Sequence, residues 1–204
     1  MTRRARGFTL LEVLLALSIV AALVTIAFGG MRIALAAWRQ GEDRAEAHQH
    51  VRSVALTLAR SVGAAYPYRA SRGLAPEPVL LFEGAPRRVA FVTQVPPFAP
   101  AASIAFTAVV IELEESGEPG LVVRQRPLPN GDPFEEADVV FRDASVTALE
   151  IRYLDETGEW QEEWKVDDEE GTPRAVRLSI EATHHGRAVR LPPLTVNLRT
   201  APPR

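Results

Sequence analysis

Hydrophobic and polar positions divide the chain into stretches of different period. From Phe8 to Met31 almost every position is apolar, the exceptions being Thr9, Glu12, Ser18 and Thr25. Carried as helix, such a run rises about 36 Å, enough to cross the roughly 30 Å hydrocarbon core of a bilayer. After Met31 the apolar residues thin to a stripe: Val51, Val54, Ala55, Leu58 and Val62 recur three and four positions apart, while Arg44, Glu46, Gln49, Arg52 and Arg60 fall on other faces. That period predicts an amphipathic helix over 32–63 continuing the apolar one over 8–31. Together they predict a helix about 80 Å long, bent or locally unwound at Gly29, Gly30 and Gly41; two helices broken near Gly41 fit the same pattern.

Beyond Gly63 the period changes to two. Pro67, Pro76, Pro78, Pro86, Pro96, Pro97 and Pro100 forbid long helices. Apolar and β-branched runs predict strands at Val79–Phe82, Arg88–Val95, Ser103–Glu114, Leu121–Arg126, Asp138–Phe141, Ser145–Leu154, Ala175–Thr183 and Leu194–Leu198. Alternation is clearest where Val176, Leu178, Ile180 and Ala182 oppose Arg177, Ser179, Glu181 and Thr183, the pattern of a half-buried antiparallel strand. Turns are marked by Ser116-Gly117, Pro129-Asn130-Gly131-Asp132, Thr157-Gly158 and His185-Gly186. The expectation is an α+β fold, a long N-terminal helix packed on an antiparallel β-sheet domain over 64–200, with a Pro-rich tail at 201–204.

Composition narrows the functional classes. A formal charge of −3 and a pI near 5.9 argue against a nucleic-acid partner, which needs a concentrated basic surface. Cys is absent, which excludes disulfides, zinc thiolates and thiol catalysis. The chain has no G-x-S-x-G, P-loop or dinucleotide fingerprint, so neither an enzymatic activity nor a cofactor is expected. His48 and His50 are two apart on a helix and so do not form a metal pair; both are expected to be solvated. His184-His185 at a turn carries no metal expectation either. The acidic residues Asp155, Glu156, Glu159, Glu162, Glu163, Asp167, Asp168, Glu169 and Glu170 lack EF-hand order and predict a solvated loop or an acidic docking surface rather than a calcium site.

The chemistry is concentrated at the N-terminus. Arg3, Arg4 and Arg6 precede the apolar run, so the positive-inside rule keeps residues 1–7 in the cytoplasm and sends the rest across. Glu12 stands out, because a carboxylate in a spanning helix costs about 2.5–3.5 kcal/mol at the centre and calls for a partner. The leader arginines are one local partner. The string Gly7-Phe8-Thr9-Leu10-Leu11-Glu12-Val13 resembles the processing site of type IV prepilins and type II secretion pseudopilins. The resemblance implies cleavage between Gly7 and Phe8 by a prepilin peptidase, N-methylation of Phe8, and a role for Glu12 in pairing with a neighbouring subunit's terminal amine. A secretory signal cut near Ala34-Leu35-Ala36 and an uncleaved anchor for an unrelated periplasmic domain are the alternatives.

A second string lies near the C-terminus. Ile151-Arg152-Tyr153-Leu154-Asp155, Gly158-Glu159-Trp160, Trp164 and Pro173-Arg174-Ala175-Val176-Arg177-Leu178 resemble the J-type minor pseudopilins of type II secretion, a pilin-like family. Lys165-Val166-Asp167-Asp168 departs from the family's pattern, which usually places a proline soon after the second tryptophan. The resemblance implies a subunit at the tip of a periplasmic pseudopilus, anchored in the inner membrane. Its partners would be the I and K minor pseudopilins, with H as a further one, and the inner-membrane assembly platform. Trp160 and Trp164 are candidates for a partner surface, with core packing the alternative for one of them. A minor pilin of a type IV pilus shares the N-terminal string, and a membrane-tethered periplasmic enzyme or binding protein is the reading from another class.

Overall fold

The computed structural model describes residues 9–70, 78–98, 105–165, 171–184 and 186–198. The leader 1–7, the pair Gly7 and Phe8, His185 and the tail 201–204 lie outside them. The chain forms two compact units, residues 1–46 and 47–204.

One helix, α1 (Leu10–Gly63), runs without a break through Gly29, Gly30 and Gly41, so the two-helix alternative does not hold. In the first unit every helical residue is exposed, Leu10 and Ile26 by 80% and 71%. In the second unit α1 buries Ala47, Val51, Ala55, Leu58 and Val62, spaced four, four, three and four apart. That is the predicted stripe, with Val54 only partly buried beside it.

The rest of the second unit is antiparallel. The first five-stranded sheet is a meander of β3 (Phe82–Ala85), β4 (Arg88–Thr93), β5 (Thr107–Glu114), β6 (Gly120–Pro127) and β7 (Asp138–Asp143). The second has the order β11 (Arg187–Arg190), β10 (Ala175–His184), β8 (Val146–Leu154), β9 (Trp160–Gln161), and β12 (Leu194–Asn197) also pairs with β10. A ribbon of β1 (Arg69–Ala70) and β2 (Val79–Leu80) completes the set. The expected α+β, pilin-like fold of a helix and antiparallel strands is therefore present, with its strands shared between two main sheets.

A single core joins α1 to both sheets. Leu58 and Val62 of the helix, Phe91 and Ile111 of the first sheet, and Ile151, Leu178 and Ile180 of the second all belong to it. The first sheet is buried on its other face as well, where Ala90, Val92, Ala108 and Val110 meet Leu81 and Phe134. Burial on both faces explains why β4 and β5 read as unbroken apolar runs while β8 and β10 alternate. The remainder of that outer face carries a cross-strand ladder of charge. Arg88 bridges Glu83 and Glu112, Arg124 bridges Glu112 and Glu114, and Arg142 bridges Glu114 and Glu118. These groups are partly solvated, so each pair contributes no more than about 1 kcal/mol.

Candidate functional site

The first turn of α1 is closed by its own residues. The Thr9 backbone N–H donates to Glu12 Oε2 at 2.9 Å, and the Thr9 hydroxyl donates to the same oxygen at 2.9 Å. In return the Glu12 N–H donates to Thr9 Oγ1 at 3.3 Å. This is a capping box, the threonine at the N-cap and the glutamate at the third helical position, each satisfying an orphan N–H of the other. The charge of Glu12 points to a charged partner, whereas the partner in place is Thr9, signalled by the spacing Thr-x-x-Glu. Among the described residues no hydrogen bond reaches Glu12 Oε1, so the carboxylate keeps an acceptor edge beyond the cap.

Downstream of the cap, large apolar side chains project all around α1 as far as Trp38, and none is covered by the described residues. A helix apolar on every face and unburied needs lipid or other helices around it. Its length and composition suffice to cross a membrane.

The C-terminal string proves to be a joint between the sheets. Tyr153 is fully buried on β8, and its hydroxyl lies 3.0 Å from the Ala85 carbonyl and 3.1 Å from that of Arg88, at both ends of the β3–β4 turn. Burial pushes the phenol's pKa far up, so it stays protonated and a donor. The ring lies against Gly84, where an added Cβ would be 2.4 Å from Tyr153 Cζ. It also meets Phe82 edge-on, at 6.3 Å and 88°. Gly84 and Trp164 exchange two backbone hydrogen bonds of 2.9 Å, and Ile151 N–H donates to the Pro86 carbonyl at 2.8 Å. The glycine is there for close approach, a need that nothing in a lone sequence signals.

The two tryptophans have different environments. Trp164 is 3% exposed and donates its indole N–H to the Gly171 carbonyl at 3.0 Å, so it belongs to the core and offers no surface to a partner. Of the two candidates for a partner surface, Trp164 is thus the one for which the core-packing alternative holds. Trp160 is half-buried, with the Arg177 guanidinium 4.0 Å over its ring.

Three acids of the described part of the acidic segment, Asp155, Glu162 and Glu163, meet the protein's own groups. Asp155 accepts from the Thr157 hydroxyl at 2.7 Å, the Glu159 N–H at 2.8 Å and the Gln161 amide at 3.0 Å, fixing the β8–β9 hairpin. Glu162 faces Arg152 and Glu163 faces Lys165, while Asp167, Asp168, Glu169 and Glu170 lie outside the described residues. No cluster able to hold a metal occurs among the described residues. His48 is exposed, but His50 is not merely solvated as expected: its Nε2 lies 2.8 Å from Asp143 Oδ2, joining α1 to the end of β7. Such a contact, 93 residues apart in sequence, is invisible to helical periodicity.

Two of these aspartates contribute to the acid response of the second unit. Burial alone would push Asp143 up, but the hydrogen bonds from Ser145 and His50 outweigh it and hold its carboxyl below the usual range. For Asp155 the bonds from Gln161, Thr157 and the Glu159 backbone push it down to about 2. Both titrate lower when folded, so their stabilisation is present above the unfolded value near pH 4 and is lost as pH falls through the folded ones. Asp155→Asn should therefore lower the melting temperature at pH 7 and leave a shallower decline between about pH 4 and 2. Parallel declines in thermal melts of the two proteins would contradict this.

Comparison with known proteins bears on both strings. The family model of type II secretion system protein J matches residues 29–193, more than half of the chain. The chain belongs to the type II secretion system protein J family. The prokaryotic N-terminal methylation motif matches residues 2–28, which contain the cap and most of the apolar helix. A type II secretion system protein J of Xanthomonas campestris pv. campestris is 29% identical over 191 residues, covering 89% of each chain. As a member of the protein J family, the chain is a minor pseudopilin of the type II secretion system, a structural, membrane-anchored component that assembles with other pseudopilins and the secretion machinery. The family model also resolves the choice between secretion and a type IV pilus, which the N-terminal string alone leaves open.

Proposed function

We propose that this minor pseudopilin is made as a prepilin whose residues 1–7 are removed by prepilin peptidase on the cytoplasmic side, leaving Phe8 as the N-methylated terminus. Residues 8–31 then hold it in the inner membrane, N-terminus inward, with the β-rich head over 64–200 in the periplasm. There it joins the I and K minor pseudopilins, and H in turn, at the pseudopilus tip on the assembly platform, where it primes the pseudopilus. It has no catalytic turnover of its own.

The observation that carries this reading is the unburied apolar helix opening on a capped Glu12 inside a methylation motif. With Gly7 gone, the new ammonium at Phe8 stands four residues before the carboxylate of Glu12 in sequence. A sister helix displaced along the bundle brings its own amine to the uncapped edge of Glu12, and both charges are then screened from lipid. Trp160, half-buried under Arg177, is the remaining candidate contact on the head.

One experiment tests the reading. The protein purified from a host with an intact secretion system should begin at methylated Phe8 by N-terminal sequencing and mass spectrometry, and should co-purify with the I and K pseudopilins. The same pull-down with Trp160→Ala reports on the head contact. A mature chain that retains residues 1–7, or one that begins near Ala37, would overturn the proposal.

A further inference from the structure

Hydropathy ends the spanning segment at Met31, but exposed apolar surface does not end there. Ile33, Leu35 and Trp38 are 73%, 47% and 69% exposed, and between Arg32 and Arg39 no polar residue intervenes. Past Arg39 the character reverses abruptly, to Gln40, Gly41, Glu42, Asp43 and Arg44. A tryptophan between two arginines, with apolar residues on one side and polar and charged residues on the other, has the composition of a membrane–water boundary. The indole seeks the headgroup layer and the guanidiniums seek phosphate.

Distance along the helix agrees. Arg32 lies about 33 Å beyond Leu10, just past a hydrocarbon core of about 30 Å, where its side chain can reach up to the headgroups. From the same origin Trp38 and Arg39 lie about 42–44 Å along the helix beyond Leu10, which a tilt of about 30° brings to about 37 Å of depth, the outer edge of the headgroup layer. We infer that Arg32, Trp38 and Arg39 form a phospholipid-headgroup site on the periplasmic leaflet, which fixes how deeply the helix sits. This site is the counterpart, at the far end of the span, of the capped turn at Thr9 and Glu12. It rests on the membrane-anchor reading above and extends the lipid contact beyond the span set by hydropathy. The occupant is the anionic lipid surface rather than a sister helix, because a helix–helix seam gives no reason for paired arginines around an indole.

The test uses the full chain in vesicles of phosphatidylcholine and phosphatidylglycerol carrying brominated lipid. Fluorescence of Trp38 is obtained as the difference from Trp38→Phe, since Trp160 and Trp164 belong to the head. Bromines near the headgroup should quench Trp38 about twofold more than bromines near the bilayer centre, and Arg32→Gln with Arg39→Gln should abolish that preference. Quenching of Trp38 by aqueous iodide and by neither brominated lipid would overturn the inference, as would shielding that appears only when a sister pseudopilin is added. A second reporter, Val20→Trp in the Trp38→Phe background, keeps the two readings apart. If Val20→Trp is quenched from the bilayer centre while Trp38 is not quenched, only the headgroup site falls; if Val20→Trp is not quenched either, the anchor itself falls.

Discussion

Gly84→Ala is expected to destabilise the head by about 4 kcal/mol. The added Cβ would sit 2.4, 2.6 and 2.8 Å from three atoms of the Tyr153 ring, and the ring has nowhere to go. Its hydroxyl is held at the β3–β4 turn, its edge meets Phe82, and Gly84 is fixed in place by the paired bonds to Trp164. Overpacking of this kind costs about 1–3 kcal/mol, and displacing the phenol leaves a buried donor unsatisfied for about 1–3 more. For a head of this size the melting temperature should fall by about 10 °C. The backbone at Gly84 is not in the left-handed region, so the cost is one of space alone. A double-mutant cycle isolates it: in a Tyr153→Leu background, Gly84→Ala should lose most of its effect. A wild-type-like melt of Gly84→Ala, or additive effects in the cycle, would show that the joint is looser than described.

The second large effect concerns assembly. Under the proposed pairing, Glu12→Gln should be defective in entering the pseudopilus while its helix stays capped. Glutamine serves as well as glutamate at the third position of a capping box, so the bond from the Thr9 N–H survives. What it loses is the charge that faces a neighbour's ammonium. If Glu12 acts only as a cap, Glu12→Gln should secrete like wild type and only Glu12→Ala should fail. If it pairs with an amine, both should fail by about tenfold or more in co-purification with sister pseudopilins, as expected for a membrane-embedded charge left without its counter-charge. The comparison separates a role within one chain from a role between chains.

How much of this was legible beforehand follows from which forces act locally. The helix, its stripe at Val51, Ala55, Leu58 and Val62, and β8 and β10 are written in periodicity, because each buries one face and exposes the other. β4 and β5 were readable as strands from their β-branched runs, but not as strands covered on both sides, since a continuous apolar run does not say what covers it. β1, β9 and β11 escaped notice because two to four residues carry no period, and they form only where a longer neighbour supplies the hydrogen bonds. The expected strand over 79–82 divides at Leu81, which turns into the second apolar cluster. The turns at Gly117, Gly158 and Gly186 all adopt positive φ, as small residues in those positions suggest, whereas Gly131 does not.

The N-terminal site shows the same division. Gly7, Phe8 and Glu12 stand out by resemblance, and the Thr9 cap by spacing. Tyr153 and Trp164 stand out as part of a string, but their purpose depends on Gly84, about seventy residues earlier in the chain. Asp143 and His50 meet only because α1 and the β7–β8 turn are brought together by the core. Residues that act through sequence neighbours can be read from the chain; residues that act across the fold cannot.

The ladder of Glu83, Arg88, Glu112, Arg124, Glu114 and Arg142 has an implication for traffic around the head. Each acid on that flank already faces a base, in an order that no uniformly charged object can match. Docking there would mean stripping water from a self-neutralised mosaic with little to gain in exchange. That flank is thus expected to contribute little to any docking contact of the head.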